Sequence, residues 1–246
     1  ASIAASEASS EGLRATFSPM IDVSRDPRWG RMMESFGEDP YVNGIMGKAM
    51  VDGYQQKADT GIAACLKHFA GYGDVNAGRE YNDVEISQRT FLEQYVKPFR
   101  MALKAKPAMV MTAFNAIDRK PISGNKELLK GLLRDKEGFE GTVISDWGSI
   151  GQMEEQGAAD MEEAAIQASE AGVDIDMMSP AYMLCLEKLV ESGKIPEAFV
   201  DESAFRVLMM KNQLGLFENP FAGLGKSGKL TLHNREKAYQ LAGESC

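Results

Sequence analysis

The 246-residue sequence predicts an α/β fold around a parallel sheet, with a (β/α) barrel as its architecture. Three observations carry the prediction. Short apolar runs at 61–66, 108–114, 142–144 and 172–177 alternate with longer stretches whose apolar residues recur at helical spacing. Polar residues recur where the runs end: Asp22, Lys67 with His68, Asn115, Asp146 and Asp176. A barrel collects its active side chains at such strand ends. A doubly wound open sheet is the alternative. It would advertise a Gly-rich phosphate turn directly after the first strand, and no such turn is present.

Each element has a local reason. Residues 1–11 are rich in small side chains and read as a helix stopped at Gly12. Thr16 to Asp22 reads as a strand running into an Arg-rich loop, 23–31. Asp39-Pro40 supplies an N-cap and a first-turn proline for a helix to about Gln56. The run 61–66 is a strand that delivers Lys67 and His68 at its end, followed by a Gly-rich charged loop, 70–82. Ser87 caps a helix to about Lys104, and Asn125 caps another to about Lys136. Residues 108–114 form the third strand and 142–144 the fourth. Glu154 to Ala171 is helical with a break near Gly157, and 172–177 is the fifth strand. Ser179-Pro180 opens a helix, Asp201 to Leu214 forms another ended by Gly215, and a last helix begins at Leu232. A closed (β/α)8 barrel needs more units than these, so either an incomplete barrel or a variant with strands not visible in the sequence is expected.

Composition narrows the function classes. The hydrophobic fraction of 44% and charged fraction of 26% are those of a globular protein, and no run is long enough to span a membrane. A net charge of −9 argues against a nucleic-acid surface. Cys65, Cys185 and Cys246 show neither metal spacing nor a disulfide framework, and with His68 and His233 as the two histidines no metal site and no cofactor is expected. The fifteen methionines read as core filler, with Met111 set apart because it precedes Phe114 by three on a strand expected to line one face.

The central stretch is Gly141 to Gly148. Its β-branched run Thr142-Val143-Ile144 favours a strand covered on both faces and leaves Asp146 at the C-terminal end. A carboxylate beside Trp147 suits a sugar, whose apolar face stacks on an indole. The plain alternative is a helix-capping Asp146 and a core Trp147. Lys67, His68 and Arg31 are donors that match sugar hydroxyls; the alternatives are a structural ion pair for Lys67 and a satisfied core histidine. A lysine at a barrel strand end can also form a Schiff base, which leaves an aldolase open. Arg25, Asp26 and Arg28 read as internal bracing of their loop.

The runs 17–31 (FSPMIDVSRDPRWGR), 38–40 (EDP), 66–72 (LKHFAGY), 110–115 (VMTAFN) and 144–148 (ISDWG) together resemble glycoside hydrolase family 3, especially its bacterial periplasmic β-glucosidases. The resemblance implies a (β/α)8 barrel followed by an α/β sandwich domain. Residues 1–218 would then be a partial barrel, and 219–246 a linker and the start of the second domain. It implies retaining hydrolysis of terminal β-glucosyl residues from oligosaccharides or glucosides, with β-xylosidase or exo-glucanase activity as the alternatives.

Asp146 falls on the family's nucleophile, and Arg31, Lys67 and His68 on residues that hold the sugar's hydroxyls. Met111 and Trp147 fall on walls of that subsite. Phe114 falls where many members have Tyr. Tyr72 stands where the N-acetylglucosaminidase branch has a second histidine, which argues against that branch. The first barrel strands, a secretion signal and the acid/base Glu are expected outside this chain. A second chain or missing segments would complete the barrel, and a periplasmic or secreted location is implied. Glu34, Glu80 and Asp74 are the carboxylates within the sequence weighed as substitutes for that acid, each with a structural role as its first reading.

Overall fold

The computed structural model describes residues 1–56, 61–225 and 232–245. Cys246 and part of the expected linker lie outside the described residues. Four strands form a parallel sheet in the order β1 (Ala15–Thr16), β2 (Ala63–Phe69), β3 (Met109–Thr112) and β6 (Thr142–Ile144). Helices connect them: α2 (Pro40–Gln55) after β1, α3 (residues 88–102) after β2, and α4 (Glu127–Lys136) before β6. α3 contains a π-helical stretch, Phe91–Val96, and α4 is π-wound throughout. A short hairpin, β4 (Ala116–Ile117) and β5 (Lys120–Pro121), follows β3. After β6 come α5 (Ser149–Gln152), α6 (Met161–Ala171), α7 (Ala181–Glu191), α8 (Glu197–Gln213) and α9 (Leu232–Glu244); α1 (Ser2–Ser10) precedes the sheet.

The predicted caps hold several of these ends. The Asp39 carboxylate accepts from the Tyr41 and Val42 amides, with Pro40 in the first turn. Ser87 Oγ accepts from the Thr90 amide, and Asn125 Oδ1 from the Leu128 amide at 3.2 Å. Asp160 and Glu163 cap α6 together: Asp160 accepts from the Glu163 amide at 2.9 Å, and Glu163 from the Ala159 amide at 2.8 Å.

Strand alternation divides the core into two layers. Ala64, Leu66, Val110 and Val143 face the helices with Phe69, Phe99 and Leu133. Ala63, Cys65, Met109, Met111 and Ile144 form a second cluster on the opposite face, against which Ile175, Met177, Met210 and Leu214 pack. A buried ion network locks the N-terminal end of the sheet. Asp174 Oδ2 accepts from Arg134 Nη2 and the Val143 amide, each at 2.8 Å, and Asp174 Oδ1 from Arg206 Nη1 at 2.9 Å.

Several expectations need correction. The first strand covers two residues; beyond it, residues to Asp22 follow β2 through one bridge, Met20 to Lys67. The second strand runs through Lys67 and His68 to Phe69 rather than ending before them. The expected fifth strand is a single bridge between Ile144 and Ile175. The hairpin was not expected, and α8 begins at Glu197, ahead of Asp201. Met111 and Phe114 do not line one face: β3 ends at Thr112, and Phe114 lies past that end. Met111 sits in the inner cluster, Phe114 in the helix-side cluster.

Candidate active site

The site residues gather at the C-terminal ends of β2 and β6. On β2, Ala63 and Cys65 face the inner layer, and alternation carries Lys67 to the same side. The register against β3 then shifts between Leu66 and Phe69, and Phe69 falls in the helix-side cluster. The shift lets His68 join Lys67 on the rim instead of pointing away from it. The Lys67–His68 and Phe69–Ala70 peptide bonds are cis. On β6, Asp146 lies two residues past Ile144 and shares its parity.

Asp22, at the end of the first strand segment, holds the histidine. Its Oδ2 accepts from the His68 amide at 3.0 Å and from His68 Nδ1 at 2.7 Å. With Nδ1 engaged, Nε2 is the ring atom that faces Asp146. Nε2 lies 3.3 Å from Asp146 Oδ2, close but out of line for a hydrogen bond. Both atoms are buried without a hydrogen-bond partner among the described residues. Asp146 Oδ1 accepts from the Trp147 amide at 2.7 Å. That bond orients the carboxylate and leaves Oδ2 as its available oxygen. Asp22 was read in the sequence only as one of several strand-end polar residues; its position at a strand end was the signal.

Glu34 holds the two cations. It accepts from Arg31 Nε at 2.7 Å and Nη2 at 3.0 Å, and lies 3.9 Å from Lys67 Nζ. Arg31's hydrogen bond draws the Glu34 carboxyl below its usual range. Burial works against the Arg31 guanidinium, yet the bond and charge of Glu34 hold it above its ordinary value. Arg31 also lies over the Tyr72 ring, 5.7 Å from its centre. Tyr72 contacts His68 and Trp29 edge to face and Phe114 at a tilt. The loops carrying these groups are pressed together: a Cβ on Gly73 would lie 2.1 Å from the Val23 carbonyl oxygen, so only glycine fits there.

The remaining expected residues are distributed around this centre. Trp147 is 64% exposed, so it is a rim residue and not core. Met111 is buried in the inner cluster behind the rim. Phe114 reaches the site through Tyr72. Of the three carboxylates weighed as alternative acids, Glu34 is engaged by Arg31, and Glu80 accepts from the Tyr72 hydroxyl. Asp74 lies against Tyr95, whose phenol burial and that carboxylate together push up.

A cavity of about 400 Å³ opens at the opposite end of the sheet, lined by Gln55, Ile62, Glu137, Arg206 and Met210 among others. Two of its charged groups are held in ion pairs, Glu137 with Arg100 and Arg206 with Asp174 and Glu202. The N-terminal end of a parallel sheet is also the end that serves stability. The carboxylate-bearing rim is therefore the better candidate for chemistry. No cluster of three or more His, Cys, Asp or Glu able to hold a metal occurs among the described residues.

Residues 1–210 match the family described as "Glycosyl hydrolase family 3 N terminal domain". The chain belongs to glycoside hydrolase family 3. Among curated family 3 relatives, a periplasmic beta-glucosidase of Salmonella typhimurium is 40% identical over 99% of this chain. A putative beta-xylosidase of Formosa agariphila is also 40% identical, over 87% of it. Among solved structures, a beta-glucosidase from Listeria innocua in complex with glucose matches with a TM-score of 0.94 and 46% identity over 97% of the chain. The chain spans about a third of the length of these relatives: 33%, 30% and 34% respectively. Among the described residues no helix is long and apolar enough to cross a membrane.

Proposed function

We propose that this chain supplies the sugar-binding half of a retaining β-glucosidase site, with Asp146 as the nucleophile. One observation carries the reading: two buried polar atoms, Asp146 Oδ2 and His68 Nε2, stand 3.3 Å apart without hydrogen-bond partners at the sheet's C-terminal rim. Buried polar atoms of this kind are normally satisfied, and a sugar hydroxyl and an anomeric carbon would occupy such a place.

In this reading Asp146 Oδ2 attacks the anomeric carbon as the bond to the leaving oxygen breaks, and a general acid protonates that oxygen. The resulting glycosyl ester is hydrolysed by water, deprotonated by the same group, and the Asp146 carboxylate is released. Retaining enzymes hold the two carboxyl groups about 5 Å apart. Glu34 and Glu80 each have another partner, which supports an acid/base group outside the described residues. Arg31, Lys67 and His68 bind the glycone, Trp147 stacks on the substrate, and Met111 and Phe114 back the subsite.

Residues 1–218 act as part of a (β/α) barrel, with 219–246 leading to a second domain, in a periplasmic or secreted protein like the Salmonella relative. Family membership favours glycoside hydrolysis over a Schiff base on Lys67. A β-xylosidase is the second reading, because a xylosidase relative is as similar, at 40% identity, as the glucosidase one.

The test is kinetic. In the full-length protein carrying this chain, Asp146→Asn should lower kcat by several orders of magnitude on glucosides and leave the fold intact. A variant retaining wild-type turnover refutes the assignment. Comparing kcat/KM on nitrophenyl glucoside and xyloside separates the two readings.

A further inference from the structure

We infer that Glu80 is a positioning residue for the glycone subsite: through its hydrogen bond with the Tyr72 hydroxyl it fixes the aromatic floor on which Arg31 and His68 rest. The inference builds on the glycosidase reading above and adds a residue that acts through others.

Tyr72 is fully buried, and its ring is the shared neighbour of the sugar-binding groups. His68 meets it edge to face at 5.3 Å and 82°, Trp29 at 5.3 Å and 71°. Phe114 packs at 5.8 Å, and the Arg31 guanidinium lies 5.7 Å over the ring. A small rotation of this ring would therefore move both the cation above it and the imidazole beside it.

Packing alone does not require the hydroxyl. A buried phenol needs an acceptor, and a Phe at this place would need none. The acceptor is Glu80 Oε2, eight residues along the chain. Burial pushes the Tyr72 phenol above its ordinary value and the Glu80 contact pushes it further, so the phenol is the donor and the carboxylate accepts. Glu80 itself is an awkward residue to place here. Its Oε1 is buried with no hydrogen-bond partner among the described residues. A half-satisfied buried carboxylate costs stability that an apolar residue would not. Among the described residues, the bond to Tyr72 is the one hydrogen bond that the Glu80 carboxylate makes, and an apolar side chain would not provide it.

The segment carrying Glu80 is stiff enough to transmit position. The Asn76 amide donates to the Asp83 carbonyl at 3.0 Å, and Asn82 Nδ2 to the Asn76 carbonyl at 3.2 Å, closing the loop on itself. Gly78, at φ +67, would place a Cβ 2.8 Å from the Trp29 amide nitrogen, so the loop is seated directly on the segment that leads to Arg31. Tyr81 packs edge to face on Phe114 at 4.9 Å.

The experiment uses Tyr72→Phe, Glu80→Ala, Glu80→Gln and the double variant Tyr72→Phe/Glu80→Ala in the full-length protein. Measured are kcat and KM on nitrophenyl β-glucoside, the Kd of glucose by calorimetry, and the thermal midpoint. Tyr72→Phe and Glu80→Ala should each raise KM and Kd about tenfold, the loss expected for a hydrogen bond to a charged group, with a much smaller change in kcat. The double variant should lose no more than either single one, because both remove the same interaction. Glu80→Gln still accepts from the phenol and should stay near wild type.

If Tyr72→Phe and Glu80→Ala lower the thermal midpoint but leave KM and Kd unchanged, Glu80 is structural and the inference is overturned. Independent, multiplying losses in the double variant overturn it as well. Should Glu80→Ala fail to fold, Tyr72→Phe with unchanged KM and Kd is sufficient to overturn it. A wild-type protein that binds no glucose and cleaves no glycoside overturns the glycosidase reading, and this inference with it.

Discussion

Removing Asp22 probes how the site is held. Its side chain is 1% exposed, and one oxygen, Oδ2, accepts both hydrogen bonds that fix His68. Asp22→Ala deletes both acceptor contacts and leaves the buried His68 amide and Nδ1 without them. Hydrogen bonds to a charged group contribute about 1.5–3 kcal/mol each, and the two share one acceptor atom, so the lower end of their sum, about 3 kcal/mol, is expected. Urea unfolding should show that loss as a lower midpoint at constant m-value. Activity should fall further than the folded fraction explains, because the imidazole loses the bond that aims Nε2 at Asp146. Asp22→Asn separates the two effects: its amide oxygen can take the place of Oδ2 and keep both bonds, so it should recover most of the stability. Urea and kinetic measurements in which Asp22→Ala stays within about 0.5 kcal/mol of wild type, with unchanged kcat/KM, would refute this view of the site.

Three further outcomes are expected. Lys67→Ala should cost about 1–3 kcal/mol in transition-state binding, read from kcat/KM, and normal kinetics would exclude direct contact with the glycone. Asp174→Ala strands Arg134 and Arg206 at the base of the sheet and should destabilise the fold by about 3–5 kcal/mol, as for a broken buried ion network; a smaller effect in thermal unfolding would mean water replaces the carboxylate. Acid titration of stability should depend on Asp26 and Glu34. The hydrogen bond from the Arg28 side chain holds the Asp26 carboxyl down at about 2, and that from Arg31 lowers Glu34. Both folded values are depressed, so these pairs stabilise fully above the usual carboxylate range, about 4, and are lost as pH falls through the lowered values, for Asp26 near 2. Asp26→Asn should flatten that acid limb, and an unaltered slope would refute the linkage.

Much of this was legible in the sequence because it is local. Asp39-Pro40, Ser87 and Asn125 act as caps through neighbouring amides, and a capping side chain needs no tertiary partner to be recognised. Asp146 and the Lys67-His68 pair were readable as strand-end polar residues. What was hidden depends on pairing between strands. The register shift that turns His68 onto the same side as Lys67 arises against β3 and leaves no mark in residues 61–69. The 172–177 run looks like a strand, yet it meets β6 through one isolated bridge at Ile175 and scattered hydrogen bonds rather than a ladder. The hairpin was missed because its turn residues, Asp118 and Arg119, adopt φ of +49° and +64° without the Asn-Gly or Asp-Gly signature of such turns. Asp22 was visible as a polar strand end, but its hold on a histidine 46 residues away could only come from the fold.

The central claim is that Asp146 forms the covalent glycosyl intermediate. It is tested most directly by incubating the full-length protein with a dinitrophenyl 2-deoxy-2-fluoro-β-glucoside. The fluorine slows both steps and the reactive leaving group restores the first, so the ester accumulates. Digestion and mass spectrometry should then find one added fluoroglucosyl group on the peptide containing Ile144-Ser145-Asp146-Trp147, and none in Asp146→Asn. A label on any other carboxylate, or on Lys67, would contradict the account.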